Sequence, residues 1–299
     1  MQLLVYRLVY PLLWIISKLP WRLFYLFSTC VYILVYHITR YRRKTVTENL
    51  VLVFPEKPLS EIQKIRKAFY KHMCDMFLEM IKSISISDRD LLKRFKIVDI
   101  HTLKDLEAKN KSIVVLMAHY ASYEWATVTQ LLVDYPTVGV YKKIKNKYFD
   151  QLVHRIRQRY DARLISSYNA MKEITRDKVN GTLCSYAFLS DQSPSLAKTT
   201  YWTDFMDIKV PTHIGGAVLA KRLDMSVVYL HVEKVKRGYY EAKFVPITEN
   251  AKNCEDFYIV KTYLRMLEEQ IRKAPEYYLW THKRWKHRNA EIPKEATID

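Results

Sequence analysis

The sequence is poor in glycine, with only 5 among 299 residues, where average usage would give about 20. Neither of the glycine-rich phosphate loops, G-x-G-x-x-G and G-x-x-x-x-G-K-[ST], occurs. Those loops need glycine because the backbone must approach a phosphate closely. The absence argues against a dinucleotide or nucleoside-triphosphate site, so any bound anion has to be held by side chains or helix ends.

Cysteine is also scarce, and Cys30, Cys74, Cys184 and Cys254 are scattered along the chain. They form no C-x-x-C pair and no zinc-ligand spacing. Such a pattern is typical of unpaired thiols in a reducing compartment. We therefore expect no disulfide framework and no cofactor.

Acidic residues are outnumbered, with 31 Asp and Glu against 49 Lys and Arg, which gives a net charge of +18. A charge of this size indicates nucleic acid, an anionic membrane or an acidic protein as a partner. The N-terminus helps to choose among them. Residues 23–39 carry no Lys, Arg, Asp or Glu, residues 8–16 form a second apolar stretch, and the basic segment 40–44 follows directly.

This arrangement predicts that residues 1–44 are a hydrophobic membrane anchor with a basic flank, and that residues 45–299 form the main domain. The apolar run is at the short limit for a span, so it either crosses the bilayer or lies deep in the interface. A signal peptide is the alternative, but no small-residue cleavage site precedes the charges. The basic flank predicts that the main body of the protein faces the cytoplasm. Nucleic acid is not expected as a partner.

Strand-like and helix-like patterns alternate after the anchor. A capping box at Ser60–Gln63 predicts the start of a helix. Strand-like runs lie at 113–118, 137–141, 182–188, 226–232 and 240–247; helix-like runs lie near 123–133, 148–160, 169–179, 212–224 and 255–273. The alternation predicts an α/β fold with a central, mostly parallel sheet flanked by helices.

The most informative short segment follows the first of these strands. His119 lies at the end of an apolar run, Ser122 offers a helix N-cap, and Glu124 falls in the next turn. Sites in parallel sheets gather beyond the carboxyl ends of the strands. We interpret His119 as a general base and Glu124 as the carboxylate that orients it. A chance pairing is the alternative, since acids are common enough to follow one of nine histidines at this distance.

Three further segments carry polar residues. Residues 142–159 are rich in Lys and Arg and begin directly after a strand, where they could hold phosphates or meet an acidic carrier protein; a solvated helix face is the alternative. Residues 189–194 form a polar loop after another strand, or only a turn with a self-capping Asp. Residues 274–288 interleave aromatic and basic side chains, as membrane-surface proteins and nucleic-acid binders both do.

Together, the four segments resemble the four blocks of the late acyltransferases of lipid A biosynthesis, within the glycerolipid and lysophospholipid acyltransferase superfamily. His119 and Glu124 match the His-x4-acid block. The second block is matched by Gly139, Val140, Tyr141, Asn146, Asp150 and Arg157, with Lys142 in place of the usual arginine. Asp191 and Gln192 match the third block, although Ser193, Pro194 and Ser195 stand where an acid and a glycine are common. The last block is matched by Ala274, Pro275, Glu276, Trp280, His282, Lys283, Arg284, Trp285 and Lys286.

The resemblance implies transfer of a fatty acyl group from an acyl carrier protein thioester to a hydroxyl of a lipid A-type precursor, an anionic or saccharide lipid. It implies His119 and Glu124 as catalytic residues. The substrate-binding residues it implies are Lys142, Asn146, Arg157, Asp191, Gln192, His282 and Arg284. No metal is expected, because a His and a Glu five residues apart on a helix are poorly disposed for joint ligation.

Two alternatives stay open. The acceptor could be another lipid, such as a lyso-aminolipid or a lysophospholipid, since the departures at Lys142 and after Gln192 bear on the acceptor. Alternatively, the chain could be an inert lipid-binding protein of the membrane surface.

Overall fold

The structure, a computed structural model, describes residues 2–144, 146–160 and 162–299. A seven-stranded sheet in the order β1-β9-β8-β2-β5-β3-β4 forms its centre. Its strands are β1 (Phe95–Asp99), β2 (Ile113–Met117), β3 (Thr137–Tyr141), β4 (Arg163–Ser166), β5 (Ser185–Leu189), β8 (Ser226–Lys236) and β9 (Tyr239–Thr248). All neighbours are parallel except the β8–β9 hairpin. The predicted α/β class with a mostly parallel sheet is confirmed.

Helices flank this sheet. They are α1 (Gln2–Lys18), α2 (Trp21–Ile33), α3 (Arg43–Val53), α4 (Leu59–Lys82), α5 (Asp88–Arg94), α6 (His101–Glu107), α7 (Lys147–Arg157), α8 (Ala170–Val179), α9 (Gly215–Leu223) and α10 (Tyr258–Lys273). A second small sheet, in the order β10-β6-β7, joins β6 (Tyr201–Phe205), β7 (Ile208–Pro211) and β10 (Thr297–Ile298).

The five predicted strand runs all lie on strands, because each is an apolar run that the core requires. β2 is buried at every position. The sequence patterns missed β1, β4, β6, β7 and β10. In β1 only Phe95 is buried and three of its five residues are exposed. An edge strand of this kind lacks the hydrophobic pattern from which a strand is predicted.

Two predicted helix N-caps are wrong. Helix α4 begins at Leu59 with Pro58 as its N-cap and no side-chain cap. The proline ring fixes the φ angle at position 58, so the helix starts before Ser60 and Ser60 is not its N-cap. The predicted helix near 123–133 is a 3₁₀ helix at Tyr123–Leu131, and Ser122 makes no capping hydrogen bond.

The N-terminal anchor prediction coincides with a continuous helical segment. α2 runs into a π-helical turn at Leu34–Ile38. Together they form an apolar stretch, Trp21–Ile38, that is long and apolar enough to cross a membrane. One N-terminal helix that could anchor the chain is therefore present, as predicted.

The register of the parallel pair β2–β5 determines which residues lie next to each other beyond the carboxyl ends of these strands. Met117 pairs with Leu189, so the residues two positions beyond each strand end, His119 and Asp191, leave the sheet side by side. This pairing is the structural origin of the site.

Candidate active site

His119 and Asp191 form the centre of the site. Nδ1 of His119 lies 2.7 Å from Oδ1 of Asp191. The Asp191 side chain is only 1% exposed, whereas that of His119 is 16% exposed. One edge of the imidazole is therefore held inside the protein while part of the ring stays accessible.

The two groups shift each other's titration. Burial by itself lowers the pKa of His119, but the charge and hydrogen bond of Asp191 outweigh burial, and the pKa of His119 is raised. Burial likewise opposes ionisation of Asp191, yet His119 prevails and the pKa of Asp191 is lowered. Because Asp191 is then a carboxylate, Nδ1 carries the proton, and Nε2 keeps the lone pair that can accept one.

Two side chains lie beside the His119 imidazole. The side-chain amide of Gln192 lies 3.3 Å from Nε2, and the ring of Tyr123 stands edge-on to the imidazole at 4.9 Å between ring centres. Both side chains border the reactive side of His119. The predicted residues His119, Asp191 and Gln192 are thus brought together.

The predicted contact between Glu124 and His119 is wrong. Both carboxylate oxygens of Glu124 accept hydrogen bonds from Arg157, at 3.0 Å from Nε and 2.6 Å from Nη2. The reason is the position of Glu124 on the 3₁₀ helix, which directs it toward the C-terminal end of α7. Glu124 still favours the charged form of His119 through space. The Glu124–Arg157 pair therefore lies beside the hydrogen-bonded pair His119–Asp191 and is not part of it.

The C-terminal segment holds the His119 loop in place. Leu279 N donates to the carbonyl of His119 at 3.1 Å, and Ala121 N donates to the carbonyl of Tyr277 at 2.9 Å. The Tyr263 hydroxyl donates to the carbonyl of Met117 at 2.8 Å. Sequence reasoning missed these backbone contacts, for which a residue pattern carries no signal.

His282 positions the neighbouring loop. Its Nε2 accepts the backbone N–H of Ser193 at 3.0 Å, and burial lowers its pKa to about 4. It is therefore neutral at physiological pH and suited to receive that hydrogen bond. The structure places this predicted substrate-binding residue behind the Asp191–Gln192 loop.

Arg284 does not line the site. It is fully buried, and its Nη1 and Nη2 donate to the carbonyl of Pro211 at 2.9 Å and to the hydroxyl of Thr212 at 3.1 Å. Its substrate-binding role stays a prediction. Arg284 fixes the end of β7 beneath the site.

The other two predicted binding residues lie beyond β3. Lys142 is exposed directly after the strand. Asn146 caps α7, since its Oδ1 accepts from the backbone N–H groups of Tyr148 and Phe149. Lys143, Arg155 and Arg159 line a wide hollow on the same rim, so this mouth of the site is strongly basic.

An apolar groove runs from the Glu124–Arg157 pair along one face of the sheet. Two adjoining cavities of about 100 and 30 Å³ share four wall residues. The shared residues are Met117, Ala126, Thr137 and Ala187. Residues of the 3₁₀ helix line one side of the groove, and Val133, Leu230 and Phe244 line its smaller cavity.

Gly139 keeps the groove open at β3. A Cβ atom at this position would come within 2.8 Å of Leu164 Cδ2, and both residues line the wider cavity. This is one of the few places where the glycine-poor chain uses a glycine for space.

Among the described residues, no group of three or more His, Cys, Asp or Glu side chains could hold a metal ion. A basic histidine paired with a buried carboxylate at a parallel sheet edge, beside an apolar groove, has the form of an α/β enzyme that transfers acyl groups.

Comparison with known proteins gives the family. The family model described as bacterial lipid A biosynthesis acyltransferase matches residues 2–287, so the chain belongs to that family and is an acyltransferase. It is 22% identical to the lipid A biosynthesis lauroyltransferase of Escherichia coli K12 over 285 residues, covering 94% of this chain and 91% of the relative.

Two further relatives are similar at the same level. They are the lipid A biosynthesis palmitoleoyltransferase of Escherichia coli K12 and a lipid A biosynthesis acyltransferase of Shigella flexneri. Each is 22% identical over 278 residues, covering 92% of this chain and 89% of the relative. The resemblance read from the four sequence blocks is thereby confirmed at the level of the family.

Proposed function

We propose that this acyltransferase moves a fatty acyl chain from an acyl carrier protein thioester to a hydroxyl of a lipid A-type precursor, with His119 as general base. The observation that carries the proposal is the position of His119, whose Nδ1 is held by buried Asp191 at the end of the sheet that also walls the apolar groove.

In the reaction, His119 Nε2 removes the proton of the acceptor hydroxyl as its oxygen attacks the thioester carbonyl carbon. The tetrahedral intermediate collapses, the C–S bond breaks, and the imidazolium returns its proton to the departing thiolate. The products are an ester and a free thiol, so atoms and charges balance. Base catalysis of this kind is typically worth about 10²–10⁴-fold in rate.

Asp191 and the Gln192 amide support this step. Asp191 holds the tautomer of His119 and stabilises its charged form, as the raised pKa of His119 requires. The Gln192 side chain, 3.3 Å from Nε2, is near enough to donate a hydrogen bond to the oxyanion; one such donor is worth roughly 3 kcal/mol.

Glu124 and Arg157 are proposed as a positioning pair. Their two-pronged hydrogen bond ties the 3₁₀ helix to α7 at the groove mouth, so it holds this side of the groove against the site. Because the charge of Arg157 is neutralised by Glu124, Arg157 is a poorer oxyanion donor than the Gln192 amide.

The groove suits the acyl chain of the donor. Its walls are mostly apolar and it opens between Tyr141, Glu124 and Arg157, beside the place where the thioester carbonyl must meet His119. The basic rim at Lys142 and Arg155 suits an acidic carrier protein or the phosphates of an anionic lipid.

The N-terminal residues 1–44 are proposed as the membrane anchor and residues 45–299 as the catalytic domain, located at the cytoplasmic face of the inner membrane. The apolar segment Trp21–Ile38 and the basic residues that follow it support this placement. A lipid acceptor is reached most directly from that surface.

The proposal is tested with purified full-length protein, acyl carrier protein thioester and lipid A precursor, with product lipids measured by mass spectrometry. The His119→Ala variant should lose transfer by at least about 100-fold, whereas His101→Ala, an exposed histidine of α6, should keep it. Transfer that survives in His119→Ala would overturn the mechanism, and transfer to a lyso-aminolipid or lysophospholipid alone would change the acceptor.

A further inference from the structure

The apolar N-terminal helix is docked along its length on the catalytic body. At its start, Trp21 Nε1 donates to Asp90 at 2.7 Å, and the Arg94 guanidinium lies 3.5 Å from the centre of the Trp21 ring system. Near its end, Arg66 of α4 donates to the Tyr36 hydroxyl from Nε at 3.3 Å and from Nη2 at 3.2 Å. Both ends of the Trp21–Ile38 segment are therefore fixed to the protein.

The middle of the helix is held by buried charged groups. Ser28 Oγ donates to Asp75 at 2.6 Å, and the Tyr25 hydroxyl donates to Glu79 at 2.9 Å. Asp75 and Glu79 are 3% and 1% exposed. Arg237, from the turn between β8 and β9, binds Asp75 and donates to the carbonyl of Tyr25 at 3.1 Å.

A close approach shows how tightly this face is packed. A Cβ atom at Gly238 would come within 1.9 Å of the Tyr25 hydroxyl oxygen, and Gly238 has a φ of +73°. Only glycine satisfies both conditions, so the β8–β9 turn is shaped to receive the helix.

The opposite face of the same helix is apolar and exposed. Buried positions repeat every four residues at Phe24, Ser28, Tyr32 and Tyr36. The exposed apolar residues of the outer face are Leu23, Leu26, Ile33, Leu34 and Ile38, which are 48–69% exposed. Leu8, Leu12 and Ile15 form a similar exposed row on α1.

These two faces are incompatible with a membrane-spanning helix. If Trp21–Ile38 crossed the bilayer while docked, α4 would enter the hydrocarbon with it, including the exposed cations Lys64, Lys67 and Lys71. Charged side chains facing lipid at that depth are strongly disfavoured. A helix with one packed face and one apolar outer face lies in the plane of the interface.

We propose that α2, together with α1, binds an anionic phospholipid surface in the plane of the membrane, in one leaflet, and does not span it. The exposed cations at the two ends of α2, Lys18 and Arg22 at one end and Arg40 and Arg42 at the other, match the charge of such a surface. This deepens the proposed membrane anchor and uses no step of the proposed reaction.

In-plane binding would also place the active site close to the membrane surface. The Trp21 ring stands edge-on to Trp125 at 6.3 Å between centres, and Trp125 directly follows Glu124 on the 3₁₀ helix. The membrane-bound helix is therefore in contact with the segment that lines the apolar groove.

Depth measurement distinguishes the two arrangements. In full-length protein with Cys30→Ser and Cys254→Ser, single cysteines at Leu23→Cys, Leu26→Cys, Ile33→Cys and Ile38→Cys carry an environment-sensitive fluorophore. The protein is bound to vesicles of phosphatidylethanolamine and phosphatidylglycerol that contain spin-labelled lipids at known depths. Cys74 and Cys184 are buried and stay unlabelled.

The four sites should be quenched at one shallow depth, whereas label at Val179→Cys, 80% exposed at the end of α8, should not be quenched. A graded depth, deepest at the middle of the helix, would overturn the proposal in favour of a span. Absence of quenching at all four sites would overturn it in favour of a purely soluble surface.

A charge substitution gives an independent readout. Leu26→Glu should weaken vesicle binding about tenfold or more, while Val179→Glu should not, and circular dichroism should report the same folded content for both. Unchanged vesicle binding by Leu26→Glu would contradict the proposal. Since neither measurement involves turnover, acyl transfer and membrane geometry can fail separately.

Discussion

Two residues separated by 72 positions make the site, and one hydrogen bond of 2.7 Å joins them. In the proposed reaction His119 is the base, and Asp191 sets the tautomer of His119 and raises its pKa. Both leave the sheet two residues after a paired strand end, so their contact follows from strand register rather than from local sequence.

The Asp191→Asn variant tests this dyad. Removing the carboxylate leaves burial as the main influence on His119, so the pKa of His119 falls. Since the neutral imidazole is the active form, the acid limb of the pH profile should move to lower pH, while the maximal rate falls about 100-fold or more. The measurement is kcat/KM against pH.

Asp204→Asn is the matched control, because Asp204 is an exposed carboxylate on β6. It should leave both the rate and the acid limb unchanged. An Asp191→Asn profile with an unmoved acid limb would mean that Asp191 does not set the pKa of His119.

The sequence could identify His119, Asp191 and Gln192 as candidates, because each follows a recognisable buried strand. It could not pair them. Proximity along the chain favoured Glu124, whereas the carboxylate that reaches Nδ1 comes from β5. Arg284 was named through the resemblance alone, and its complete burial is a property of the tertiary fold that the sequence does not show.

At the scale of elements, the groove is built from one face of the sheet and the 3₁₀ helix above it. The residues Met117, Thr137 and Ala187 point to this face from three neighbouring strands. The side chains of Thr137 and Ala187 are small and keep the space open, so the groove depth depends on the strand register and on side-chain size together.

Ala187→Leu should shorten the acyl chain that the enzyme accepts, because Ala187 lines both cavities. We expect the ratio of kcat/KM for lauroyl over palmitoyl donors to rise about tenfold, the scale on which pockets discriminate methylene groups. Competition between the two donors, read by mass spectrometry of the product, measures this ratio.

Ala197→Leu, on an exposed short helix, serves as the control and should not change the ratio. An equal loss with both donors in Ala187→Leu would indicate a general packing defect. An unchanged ratio would mean that the acyl chain lies elsewhere.

Elements with strong apolar periodicity were predictable, whereas the short strands β1, β4, β6, β7 and β10 were not. The 3₁₀ helix above the groove shows a second limit of prediction from sequence. Its composition suits a helix, and the sequence predicted one, but the distinction between an α-helix and a 3₁₀ helix depends on how the segment is tied at Glu124 and packed at Trp125. Composition alone does not contain that information.

For the whole molecule, the net charge of +18 and the apolar N-terminus were enough to predict a membrane partner. The arrangement of the anchor was not readable, since Asp75, Glu79 and Arg237, which hold it, are distant in sequence. The apolar run of the sequence indicates affinity for lipid. The orientation of the helix relative to the membrane follows from the buried polar contacts that hold it to the protein.

The same positive charge should govern encounter with the donor. With an acyl carrier protein thioester, kcat/KM should fall about tenfold or more between about 0.05 and about 0.5 M salt, because screening shortens the reach of the basic rim. With a small uncharged thioester of the same acyl chain, it should change little. Steady-state kinetics with both donors provide the comparison.

A substitution at one residue of the basic rim tests whether the carrier protein binds at this place on the surface. Arg155 is exposed beside the hollow lined by Lys143 and Arg159, so Arg155→Glu should raise KM for the carrier-protein donor and flatten the salt dependence. Arg222→Glu, which removes an exposed cation from α9 and changes the net charge equally, should do neither. Equal effects of the two substitutions would assign the salt dependence to the overall charge of the protein and would refute a carrier-protein contact at α7.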